Sequence, residues 1–240
     1  MDTLKHKSKA RLGILGGMGA KATSVFYDRL TSRVNAIATC DQDHIDAVIF
    51  SDCSMPDRTD CILSGQSDEL LSRCAEAFRI LESAGCDAIC FPCNTLHHYF
   101  DRLQQLSNRP LLNMVDLTMA ELDRQKHRPK TLQVLGTEGT RISPCYRNAA
   151  LRYGFELVPI SDEDQNKISE YIYELKNTGR TDFPSLSQLI VKRHRDGIDR
   201  FILACTELSC MPLSHQAQNL VFDAMDALID ACVEQFGPSL

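Results

Sequence analysis

No apolar run in this chain is longer than a strand, so no segment reads as a membrane span. Lys and Arg form no stripe, and the net charge is −6, which argues against nucleic acid and anionic membrane as partners. Residues 1–9 are polar and basic with no apolar stretch behind them, so they read as a disordered tail or an expression remnant rather than a secretory signal. A cytoplasmic protein is therefore expected. Gly-Lys-Ser/Thr phosphate loops are missing, and Gly16-Gly17-Met18-Gly19 departs from the dinucleotide fingerprint, so a nucleotide site is not indicated. Cysteine, in contrast, is plentiful, with eleven residues. In a reducing compartment most of these are buried thiols that act as small hydrophobes, so a role for any one must be argued from its position.

The elements alternate. An apolar strand at 12–15 meets the glycine turn and then a helical pattern with Val25, Phe26 and Leu30. A strand at 45–50 follows, then a helix over 69–83 ended by Gly85, then a strand at 87–91 broken by Pro92. A short apolar stretch occupies 111–115. The order then restarts with a strand at 132–135, Gly136-Thr137-Glu138-Gly139-Thr140, and a strand at 155–159. Helices at 165–176 and 186–195, a cap at Gly197 and a strand at 200–203 complete it. Such spacing predicts an α/β fold with a parallel sheet in each half and helices on both faces.

The halves repeat each other in detail. Gly85 aligns with Gly197, Asp87 with Asp199, Ile89 with Phe201 and Cys93 with Cys205, all at an offset of 112. The strand from Leu12 to Gly16 matches that from Leu132 to Gly136 at an offset of 120. Ligands of open parallel sheets bind beyond the carboxyl ends of the strands, where Cys93 and Cys205 both fall. With the halves related by a pseudo-twofold axis and their strand ends converging, the two thiols face one cleft from opposite sides.

A thiol is a competent acid and its thiolate a competent base. One of each on opposite faces of a carbon acid can remove a proton from one side and return one to the other, which inverts a stereocentre. Each cysteine leads into an expected helix start, and Asn94, Thr95 and Thr206 can supply hydrogen bonds there.

The chain also resembles the aspartate/glutamate racemases that work without pyridoxal phosphate. The resemblance runs from Leu12 nearly to the end. It rests on Gly16-Gly17-Met18-Gly19, Asp41-Gln42-Asp43-His44, Pro56-Asp57-Arg58-Thr59, Pro92-Cys93-Asn94-Thr95-Leu96-His97, Gly136-Thr137-Glu138-Gly139-Thr140 and Cys205-Thr206-Glu207-Leu208. It implies two Rossmann-like parallel-sheet domains with the active site between them, the first comprising 1–113 plus 222–240 and the second 114–221. It further implies Cys93 and Cys205 as the catalytic pair, no cofactor, no metal, and a homodimer. By position, Arg58 and Lys176 would hold substrate carboxylates, and Asn94, Thr95, Thr137, Thr206 and Glu207 would contact the rest of the amino acid. Met18 and Gly19 would line the site. Both cysteines are retained, as in the aspartate-specific relatives. The chain departs from many relatives at Ala20-Lys21, where those carry Pro-Glu, and this bears on pocket shape.

Arg58 follows Pro56-Asp57 in what reads as a loop, free to turn its guanidinium fork to a carboxylate. Lys176 ends an amphipathic helix, a place where Lys is favourable without any substrate. His97 reads as support for the site and His98 as surface. Cys86, Cys90 and Cys93 spell a cluster-like spacing, but Cys86 and Cys90 flank a strand and stand roughly 13 Å apart, too far for one cluster. An isomerase or decarboxylase using the same cysteine frame on a dicarboxylate or a hydantoin is the second reading. A non-catalytic dicarboxylate-binding or redox protein, with a Cys90–Cys93 disulfide, is the third.

Overall fold

The computed structural model describes residues 9–238, so all of the polar tail except Lys9 lies outside the described residues. Within them the chain runs β1 (Arg11–Gly16), α1 (Ala20–Asn35), β2 (Asp46–Ser51), α2 (Arg58–Ser64), α3 (Asp68–Ser83), β3 (Ala88–Cys90), α4 (Phe100–Leu106) and α5 (Met114–Arg124). It continues with β4 (Thr131–Gly136), α6 (Glu138–Ile142), α7 (Cys145–Tyr153), β5 (Glu156–Leu157), α8 (Asp162–Thr178) and α9 (Pro184–Arg195). It closes with β6 (Arg200–Ala204), α10 (His215–Gln218), β7 (Val221–Asp223) and α11 (Ala224–Phe236).

Two parallel sheets form, ordered β2-β1-β3 and β5-β4-β6-β7. A parallel bridge from Ile89 to Leu111 adds to the first sheet the place that β7 takes in the second. The apolar stretch at 111–115 is thus half bridge and half the start of α5. Asn113 caps α5 by accepting from the Val115 and Asp116 amides, and Asp223 caps α11 by accepting from Met225.

The repeated residues perform repeated tasks. Gly85 and Gly197 hold left-handed backbone, at φ 78° and 105°, just beyond α3 and α9. Asp87 accepts from the Arg11 amide at 2.8 Å at the start of β1, and Asp199 accepts from Thr131 at 3.0 Å at the start of β4. Each carboxylate staples the strand that ends in a cysteine loop to the strand that ends in a glycine turn.

Period-two alternation divides the interior into three clusters. Leu12, Ile14, Ala88 and Cys90 point to a layer shared with Leu132, Ile202 and Ala204 of the second sheet, together with α1, α5 and α11. Leu15, Ile89 and Phe91 point to the outer layer under α3, which also holds Cys93. Phe201, Leu203 and Cys205 face the corresponding outer layer under α8 and α9. Cys90 packs against Cys232 of α11, in a different layer from Cys93. The two thiols of the Cys90–Cys93 motif therefore belong to different layers of the core.

Three expectations are corrected here. Residue 58 is not in a loop: Asp57 Oδ1 accepts from the Thr59 and Asp60 amides and starts α2 at Arg58. The cysteine loops lead into short 3₁₀ turns, Thr95–Tyr99 and Leu208–Cys210, rather than α-helices. The strand expected at 155–159 is paired only over Glu156–Leu157. No helix of the described residues is long and apolar enough to cross a membrane.

Candidate active site

The two cysteine loops touch. Thr206 donates its hydroxyl to the Pro92 carbonyl at 3.1 Å, joining the residue after Cys205 to the residue before Cys93. Both thiols are nearly enclosed, Cys93 at 5% exposure and Cys205 at 4%. Two surface cavities, of about 630 and 760 Å³, lie instead against α9–α10 and against α7–β5, and neither is lined by these cysteines.

Their surroundings differ. The Cys205 thiol donates to Glu207 Oε2 at 2.9 Å. Burial pushes the Cys205 thiol well above its ordinary value, the Glu207 carboxylate adds to this, and Lys176 opposes it. Cys93 lies beside Arg58, which is 7% exposed and whose guanidinium donates to the Pro56 carbonyl at 2.9 Å. Burial works against the Arg58 charge, but Cys93, Asp57 and Glu207 outweigh it and leave its pKa raised. A longer contact from Arg58 Nη2 reaches the Met18 carbonyl at 3.5 Å.

Lys176 proves to be more than a helix-end charge. From the last turn of α8 it stands 3.9 Å from Asp57 and close to Glu207 and Cys205. Burial lowers its pKa, but Glu207 and Cys205 more than compensate, so it stays charged. Gly19 stands against Glu207: a Cβ at that position would come 3.3 Å from Glu207 Oε1.

Hydroxyls tie the halves beside Cys93. Thr95 Oγ1 lies 2.8 Å from Thr137 Oγ1 and 3.1 Å from Thr140 Oγ1, and all three residues are buried. Gly139 lets this seam close, since a Cβ there would come within 2.9 Å of Thr95 Cγ2 and 3.0 Å of the Thr59 backbone. Tyr146, from α7, donates to Asn94 Oδ1 at 2.5 Å. Thr140 belongs to the Gly136-Thr137-Glu138-Gly139-Thr140 stretch, whereas Tyr146, a lone Tyr in a helix, carries no signal of this contact in the sequence.

His97 is a support whose tautomer follows from its partners. Nε2 accepts the Met114 amide at 3.0 Å, so Nδ1 carries the proton donated to the Cys93 carbonyl at 2.9 Å. Burial holds its pKa down to about 4, which keeps the ring neutral. His98 is not a surface residue. It is half-buried, and its Nδ1 lies 3.0 Å from Ser143 Oγ across the seam. No group of three or more His, Cys, Asp or Glu side chains able to hold a metal occurs among the described residues.

Two parallel sheets, each with a buried cysteine on the loop beyond a strand's carboxyl end and with those loops in contact, define the class as a two-sheet α/β fold with its candidate site where the loops meet. The chain belongs to the Asp/Glu/hydantoin racemase family, whose profile matches residues 15–232. A broad-specificity amino-acid racemase of Bacillus subtilis, RacX, is 29% identical over 228 residues, covering 94% of this chain and 97% of that one. The aspartate racemase of Picrophilus torridus is 30% identical, covers 96% of each chain and superposes with a TM-score of 0.82. Glutamate racemase from Aquifex pyrophilus, at 20% identity and a TM-score of 0.60, covers 94% of this chain and 83% of its own, and shares the fold.

Proposed function

We propose that this protein racemises an acidic amino acid, aspartate in preference to glutamate, by exchanging protons at Cα between Cys93 and Cys205 without a cofactor. The observation that carries the reading is the contact of the two cysteine loops, with Arg58 beside one thiol and Lys176 and Glu207 beside the other. The similarity to an aspartate racemase supports the substrate.

Cys205 holds its proton against Glu207. From that state a Cys93 thiolate takes the proton from Cα, the electron pair spreads into the α-carboxylate, and the Cys205 thiol delivers its own proton to the opposite face. The reverse reaction exchanges the roles, which matched residues on matched loops permit. Arg58 and Lys176 bind the side-chain carboxylate. Asn94, Thr95, Thr137 and Thr206 hold the α-carboxylate end, and Met18 and Gly19 form the wall. The working unit is a cytoplasmic homodimer, with 1–113 plus 222–240 as one domain and 114–221 as the other.

The test is α-deuterium exchange in heavy water with each single Cys→Ala variant, on aspartate, glutamate and maleate side by side. The wild type is expected to exchange and invert aspartate and to leave maleate unchanged, and each variant is expected to lose inversion. Inversion at the wild-type rate in both variants overturns the two-thiol reaction.

A further inference from the structure

Three buried polar atoms around the cysteine pair make no hydrogen bond within the described residues: Arg58 Nε, Asn94 Nδ2 and Glu207 Oε1. Leaving such atoms unpaired is costly, and more so where the group is charged. Two of the three are donors and suit carboxylates. The third is an acceptor on a carboxylate, and it suits only a donor or a cation.

Glu207 is 2% exposed, and its two oxygens are used differently. Oε2 accepts the hydrogen bond of the Cys205 thiol at 2.9 Å, whereas Oε1 faces the backbone of Gly19, where a Cβ would come within 3.3 Å. Oε1 is thus a buried acceptor without a donor, facing a position where the chain has no side chain.

The charges of the site mirror those of one ligand class. Arg58 and Lys176 are positive and Glu207 is negative, and each is near the others. Asp57 also faces Lys176 through Oδ2, while its Oδ1 is committed to capping α2. An acidic α-amino acid carries two carboxylates and one ammonium, the complementary set. A bare dicarboxylate would set its charge against the free Oε1 of buried Glu207, and an uncharged ring would leave all three groups unmatched.

We propose that Glu207 Oε1 receives the α-ammonium of the substrate, so that this residue makes the site select an amino acid over a dicarboxylate of the same length. The inference rests on the racemase reading for the identity of the site, and adds to it the group that reads the nitrogen. Glu207 then spans the α-ammonium through one oxygen and the Cys205 proton through the other, which ties substrate binding to the thiol that faces Cα.

The experiment compares aspartate with succinate, which lacks only the ammonium, by calorimetric binding to the wild type, Glu207→Gln and Gly19→Ala. Glu207→Gln keeps the shape but not the charge, and Gly19→Ala places a methyl against Oε1. The wild type is expected to bind aspartate more tightly than succinate. Both variants are expected to weaken aspartate by about tenfold or more, the loss of one charged hydrogen bond, while succinate binds Glu207→Gln at least as well as the wild type. Equal weakening of both ligands, no weakening of either, or no aspartate binding by the wild type overturns the proposal. Selective loss of aspartate binding in an enzyme that never inverts aspartate upholds the ammonium receptor and sinks the racemase reading, so the two failures are distinguishable.

Discussion

The Cys205 thiol donates to the Glu207 carboxylate, whereas its counterpart Cys93 lies beside the Arg58 guanidinium. The backbones of the two cysteine loops correspond, but the fields around the sulfurs do not. One thiol faces an anion that keeps its proton on, and the other faces a cation. A two-base reaction that runs in both directions must work across that difference, and Lys176, near both Cys205 and Glu207, reduces it.

Removing the anion should therefore release the Cys205 proton more easily. Glu207→Gln is expected to move the alkylation midpoint of Cys205 to lower pH, because a charge that favours the thiol is gone while Lys176 remains. Peptide-resolved mass spectrometry after pulsed alkylation reads this site among the eleven cysteines. An unchanged midpoint would show that burial alone sets the value.

Thr206→Val tests the seam between the loops. The variant keeps the shape and leaves the buried Pro92 carbonyl without its donor, for an expected loss of about 1–3 kcal/mol in unfolding free energy. Urea denaturation measures it. Because the bond joins the two cysteine loops, turnover should fall with it.

Tyr146→Phe acts on Asn94 from behind. Loss of the hydroxyl at 2.5 Å leaves Asn94 Oδ1 as unpartnered as its Nδ2, so the amide is free to turn. KM for aspartate is expected to rise several-fold, roughly what one hydrogen bond supports, while the fold by circular dichroism is retained. A variant with wild-type KM would remove Tyr146 from the site.

Stability should fall on both sides of neutrality for separate reasons. His97 titrates at about 4 in the folded chain against an ordinary value near 6.5, so the unfolded chain binds a proton first as the pH drops. The stability present at neutral pH is lost progressively between those values, on the order of 3 kcal/mol in all. At alkaline pH the buried Cys74 thiol, pushed up to about 12, stays protonated after its unfolded counterpart has ionised near 8.5. The folded state is then lost more easily as the pH rises. Urea midpoints across the pH range check both limbs, and His97→Phe should flatten the acid one at the expense of neutral stability.

Much of this molecule could be read locally. Gly85 and Gly197, the Asp87 and Asp199 staples and the alternation of β1, β3, β4 and β6 belong to short stretches whose periodicity and turn chemistry act over a few residues. They made the repeat visible, and with it the positions of Cys93 and Cys205 at strand ends. The helices α5, α7 and α11 were less legible because packing against the shared central layer, rather than propensity, holds them. Arg58 looked like a loop residue because its helix is short and its start depends on the Asp57 cap.

The sequence by itself determined two parallel-sheet units, their repeat and the equivalence of the cysteines, since each of those follows from patterns within an element or its turn. Only the tertiary structure decided what stands around each sulfur. Thr206 meets Pro92 across 114 residues, Asn94 meets Tyr146 across 52, and Thr95 meets Thr137 across 42. Lys176 arrives at Glu207 from the end of a distant helix. Contacts of such separation depend on how two sheets and their helices pack, and no local periodicity encodes them. The symmetry of Cys93 and Cys205 is therefore a property of the chain, and the difference in the charges around them is a property of the fold.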